Sequence, residues 1–77
     1  MKNTKDLFEL VAQATEENNR NFKCWFFNYS GHINELHVDF YFSGWKRGED
    51  IKPETIRQRL DEEGIQALYW FIKTRLN

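Results

Sequence analysis

Between residues 36 and 42 the chain alternates strictly, with Leu36, Val38, Phe40 and Phe42 on one side and His37, Asp39 and Tyr41 on the other. A period of two over this length specifies a strand with one buried and one wet face. In a chain of 77 residues, the rest of the sequence has to cover that face. The preceding segment, Phe22 to Tyr29, is equally rich in aromatic residues, and Ser30-Gly31-His32-Ile33-Asn34-Glu35 lies between the two, which predicts a β-hairpin. The first strand is apolar on both sides. Phe22, Cys24 and Phe26 face one way and Trp25, Phe27 and Tyr29 the other, so its alternation leaves the register to the turn. An even-length loop pairs Phe27 with Val38 and Trp25 with Phe40, whereas an odd one turns Cys24 and Phe26 inward. The even register buries the larger set and is the one expected.

Helices are the available cover. Residues 4 to 18 place Leu7, Phe8, Leu10, Val11, Ala14 and Thr15 on one face, with Lys5, Asp6, Glu9, Gln13, Glu16 and Glu17 on the other. Asn3 followed by Asp6 resembles a capping box with a shortened acid, and Asn18-Asn19-Arg20-Asn21 suits a left-handed C-cap. Pro53 is expected to open a second helix, with Ile51 and Ile56 spaced as a hydrophobic staple and Ile56 and Leu60 facing the core. Gly64 then either ends that helix or lies in the first turn of a third, capped by Asp61. The last helix, Ile65 to Leu76, carries a core stripe of Ile65, Leu68, Tyr69, Ile72 and Leu76. A second apolar stripe of Ala67, Trp70, Phe71 and Thr74 lies opposite. The expected fold is α+β, helix–hairpin–helix–helix, with the helices packed on an antiparallel two-stranded sheet. No repeat or low-complexity stretch divides residues 1–77, which read as one small domain.

Three Trp, three Tyr and seven Phe, at about 150–250 Å² of ring surface each, are more than a domain of this size hides easily. A helix that is apolar on two sides asks for burial on two sides. The sequence therefore points to a non-catalytic interaction or small regulatory protein, most simply a homodimer or one bound to a protein partner, with Ala67, Trp70, Phe71 and Thr74 at the interface. The alternative is that another helix of the same chain covers this second stripe. A further mode joins two hairpins through an open edge into a four-stranded sheet.

Other classes find less support. The net charge of −1 comes from 11 basic and 12 acidic residues interspersed along the chain, which gives no long-range attraction to nucleic acid or anionic membrane. A local case for nucleic acid rests on Trp45, Lys46, Arg47, Lys52, Arg57 and Arg59, diluted by acidic residues in the same stretch. Cys24 is the sole cysteine, which excludes an intrachain disulfide and fits a reducing compartment. His32, His37 and Asp39 fall short of the three or four ligands of a zinc site, and Cys24 with His37 lacks a third residue to orient the imidazole. No phosphate-binding glycine pattern occurs. No apolar run approaches the roughly 20 residues of a membrane span. The expectation is a cytoplasmic protein without metal or cofactor. Its asparagine- and aromatic-rich composition is similar in style to small proteins of AT-rich bacterial or phage genomes.

Overall fold

A computed structural model of the chain describes residues 1–20, 24–42 and 52–76. The order is α1 (Thr4–Glu17), β1 (Cys24–Ser30), β2 (Glu35–Tyr41), β3 (Glu54–Arg59) and α2 (Glu62–Arg75). The strands form an antiparallel sheet in the order β1-β2-β3, and both helices pack on one face of it. The α+β class is as expected, but the layout is not: among the described residues the sheet has three strands and there are two helices.

The second helix expected from Pro53 is instead β3. The only apolar positions there are Ile56 and, just beyond, Leu60, too few for a helix to anchor itself. As a strand, the segment sets Ile56 beside Val38 and completes the far side of β2. Pairing with an otherwise open strand edge outweighs the helical start signal at Pro53. Ile51, the other half of the expected staple, lies outside the described residues.

The hairpin takes the even register. Phe27 stands opposite Val38, Trp25 opposite Phe40 and Ser30 opposite Glu35. The loop closes through Ile33 N–H to the Ser30 carbonyl and Asn34 N–H to the Gly31 carbonyl, both at 3.3 Å. Asn34 has φ 50°, the left-handed region that asparagine tolerates better than most residues. Its carbonyl accepts from Leu60 N–H at 2.8 Å, which ties the end of β3 to the hairpin tip. At the end of α1, where a left-handed asparagine is expected within residues 18–21, Asn18 is right-handed helical and Asn21 lies outside the described residues.

Leu7, Leu10 and Ala14 of α1, Trp25 of β1, Leu36, Val38 and Phe40 of β2, and Ile65, Leu68, Tyr69 and Ile72 of α2 make the core. Leu36, Val38 and Phe40 of the alternating face and Ile65, Leu68, Tyr69 and Ile72 of the last helix are buried as their spacing requires. Phe42 just past β2, however, is 74% exposed, Leu76 is only partly buried, and Phe8 and Thr15 on the expected inner face of α1 are exposed. Trp25 lies against Phe40, with ring centroids 4.3 Å apart. Glu17, expected on the wet side of α1, is buried, and its carboxylate accepts the Trp25 indole N–H at 3.3 Å. Beside it the Asn18 carboxamide accepts from Trp25 N–H at 2.7 Å and donates to the Trp25 carbonyl at 3.0 Å. The corner between α1 and β1 is thereby fixed by two adjacent polar residues. At the start of α1, Asn3 and Asp6 form the expected reciprocal capping box.

Candidate interaction surface

α2 is the element on which the second apolar stripe lies. Asp61 caps it by accepting from Gly64 N–H at 2.7 Å, and Glu62 and Glu63 sit in its first turn, Lys73 and Arg75 in its last, matching the dipole at both ends. Gly64 belongs to that first turn, the second of the two roles its position allowed. The glycine is buried against β3: a Cβ there would lie 1.8 Å from the Arg59 carbonyl oxygen.

The four residues of the stripe do not share one environment. Trp70 is 53% exposed, and Ala67 and Thr74 are exposed beside it. Tyr69, on the core side, packs T-shaped against the Trp70 ring at a centroid distance of 5.1 Å and limits its freedom. The Thr74 hydroxyl donates back to the Trp70 carbonyl at 2.8 Å, so its polar atom is used within the helix. Phe71 is half-buried and packs against the core, and the Arg75 guanidinium covers its ring at 3.8 Å. Arg75 in turn pairs with Glu54 of β3. The exposed apolar surface is therefore centred on Trp70, with Phe71 at its border.

The other face of the sheet carries neither helix. On it Phe26, 45% exposed, meets Tyr41 edge to face at 5.5 Å. His37 Nε2 lies 2.8 Å from Thr55 Oγ1 and 3.1 Å from Asp39 Oδ1. A relay of the acid–histidine–hydroxyl kind needs the carboxylate and the hydroxyl on opposite ring nitrogens, and here both meet the same one. Cys24 pairs with Tyr41 and His37 with Asn28, so the thiol and the imidazole are about 13 Å apart along the strand. His32 lies in the hairpin loop, exposed. Among the described residues no three His, Cys, Asp or Glu side chains converge to hold a metal ion, and no helix is long and apolar enough to cross a membrane.

Of the residues with a possible nucleic-acid role, Trp45, Lys46 and Arg47 lie outside the described residues. Lys52, Arg57 and Arg59 are exposed. Arg57 and Arg59 share the open sheet face, where Arg57 Nε is 3.2 Å from the Glu35 carboxylate and Asp39 lies one strand away. The cationic charge there is partly neutralised before any phosphate arrives.

Three features were missed by sequence reasoning: the third strand, the buried Glu17 and the Asn18 clamp. The last two had a signal. Glu17 and Asn18 follow the last buried turn of α1, seven or eight residues before an indole that needs a partner once buried. Comparison with protein-family models, with curated proteins and with solved structures gives no match.

Proposed function

We propose that this chain is a non-catalytic protein–protein interaction protein that self-associates, using the surface of α2 formed by Ala67, Trp70, Phe71 and Thr74. The observation that carries the reading is Trp70, 53% exposed in mid-helix between two small exposed residues, on a helix whose opposite face is core. Tryptophan is among the residue types that dominate binding energy when a partner desolvates them, and a ring already oriented by Tyr69 loses little freedom on docking. A small cytoplasmic regulator is the simplest protein of this kind.

Light scattering behind size exclusion, run over a range of concentrations on wild type and Trp70→Glu, tests it. Because Trp70 is half exposed, the variant is expected to fold with an unchanged circular dichroism spectrum and a lower average mass than wild type. An unchanged mass overturns the reading. So does a wild type that stays monomeric throughout and loses its fold on substitution, since Trp70 would then serve the core.

A further inference from the structure

We propose that two copies of the chain also join edge to edge through β1, antiparallel, about a two-fold axis that passes through Asn28 perpendicular to the sheet. The two edges of this sheet differ in kind. β3 carries Glu54, Arg57 and Arg59 and follows Pro53, the devices that discourage strand addition. β1, Cys-Trp-Phe-Phe-Asn-Tyr-Ser, has no charge and no proline.

The Asn18 clamp shows which backbone groups point outward. Trp25 N–H and C=O are both taken by the Asn18 side chain, so they face away from β2. By the alternation of an antiparallel ladder, the N–H and C=O of Phe27 and Tyr29 face the same way. Among the described residues no group bonds them. Among the described residues the edge is closed by a side chain at its Trp25 end and open at its Phe27–Tyr29 end.

Symmetry and the open groups together select the register in which Phe27 and Tyr29 of one copy bond only to each other's counterparts in the second, because an axis closer to the turn would set Phe27 against Gly31 of the hairpin loop. Residues directly opposite in an antiparallel pair point to the same face, so a strand pairing with its own copy must place the two-fold axis on a residue. An axis on Phe27 would oppose Trp25 to Tyr29 and require the groups Asn18 already holds. An axis on Asn28 opposes Phe27 to Tyr29 of the other copy, each exchanging both backbone bonds, and leaves both clamps intact. It also stacks Phe27 and the half-exposed Tyr29 across the junction, on the helix-covered face. The two Trp25 corners stay about 20 Å apart, three residues on either side of the axis. The result is a six-stranded sheet with all helices on one side. This contact is separate from the α2 surface.

Asn28 against its own copy is a non-hydrogen-bonded pair with a Cα separation of about 4.5 Å, within the range a disulfide bridges. The test uses Cys24→Ser/Trp70→Glu protein, in which the α2 surface is disabled, carrying either Asn28→Cys or Phe26→Cys. Under mild oxidation the Asn28→Cys protein is expected to form a disulfide-linked dimer at least tenfold faster than Phe26→Cys. Residue 26 is also exposed but lies about 13 Å from its own copy in this register. Adding Tyr29→Pro, which removes an outward N–H, or Tyr29→Lys should slow the cross-link at least tenfold while the circular dichroism spectrum is kept. Equal rates at 26 and 28, or a rate at 28 insensitive to both Tyr29 substitutions, overturns the edge contact. Because Trp70 is already replaced, either result is independent of what the α2 surface does.

Discussion

Replacing Gly64 with alanine sets two effects against each other. Helix propensity alone favours alanine in α2 by about 1 kcal/mol. The structure predicts the opposite sign. The added Cβ would stand 1.8 Å from the Arg59 carbonyl oxygen and 3.0 Å from its carbonyl carbon, and that obstacle is the backbone of β3. Relief requires the first turn of α2 to retreat from β3 by more than an ångström, against a normal separation of about 3.5 Å. Overpacking of this kind costs about 1–3 kcal/mol. Retreat also pulls Gly64 N–H from Asp61 Oδ1, a cap that contributes about 1 kcal/mol. Less the propensity gain, the net loss is about 1–3 kcal/mol. For a domain of this size that is a fall of roughly 5–20 °C in Tm. Thermal and urea unfolding of wild type, Gly64→Ala, Asp61→Ala and the double variant would measure it. If the helix retreats, Asp61→Ala costs about 1 kcal/mol in wild type and close to nothing beside Gly64→Ala. A Gly64→Ala protein as stable as wild type refutes the reasoning, because the close approach to Arg59 would then be absent in solution.

Glu17→Ala should cost about 1–3 kcal/mol in urea unfolding by stranding the buried Trp25 indole N–H, while Glu17→Gln, which keeps an acceptor, should lose less than half as much. Equal losses would mean that the carboxylate's charge, and not the bond, matters. Asn18→Ala removes both bonds to the Trp25 backbone and should cost about 1–2 kcal/mol, with faster hydrogen exchange at the Trp25 amide; an unchanged exchange rate refutes the clamp. A labelled oligonucleotide is expected to show flat fluorescence anisotropy with this protein. Binding that weakens steeply with salt and disappears in Lys46→Glu/Arg47→Glu would replace the interaction reading with nucleic-acid recognition.

What could be read from sequence was whatever a local period enforces. The alternation of β2, the even register of the hairpin and the core stripe of the last helix each follow from side chains whose burial their own spacing decides. β3 was illegible for the complementary reason. Its two polar residues on the inner side, Glu54 and Gln58, flank a lone Ile56, so nothing in its own pattern says strand. Only the open flank of β2, a tertiary fact, selects that conformation. Glu17 was misplaced because a helical wheel assigns a charged residue to water and cannot see an indole arriving from the next element. The surface stripe of α2 was legible as a stripe, but not its division, since Phe71 packs on the core and is covered by Arg75, whose partner Glu54 lies 21 positions away.

The Asn18 clamp has a counterpart at the other end of α1. There the Gln66 carboxamide accepts from Lys2 N–H at 3.2 Å and donates to the Lys2 carbonyl at 2.6 Å. In both places a side-chain amide occupies the position of a missing peptide group and offers the same donor and acceptor that a neighbouring backbone would. Each substitution depends on one nitrogen. Hydrolysis of either amide to the acid exchanges that donor for a second acceptor, now charged and facing a carbonyl. Loss of ammonia at Asn18 would leave the fold's covalent backbone whole yet unfasten the border of its sheet, so the oldest molecules in a preparation would be the ones with an unguarded edge.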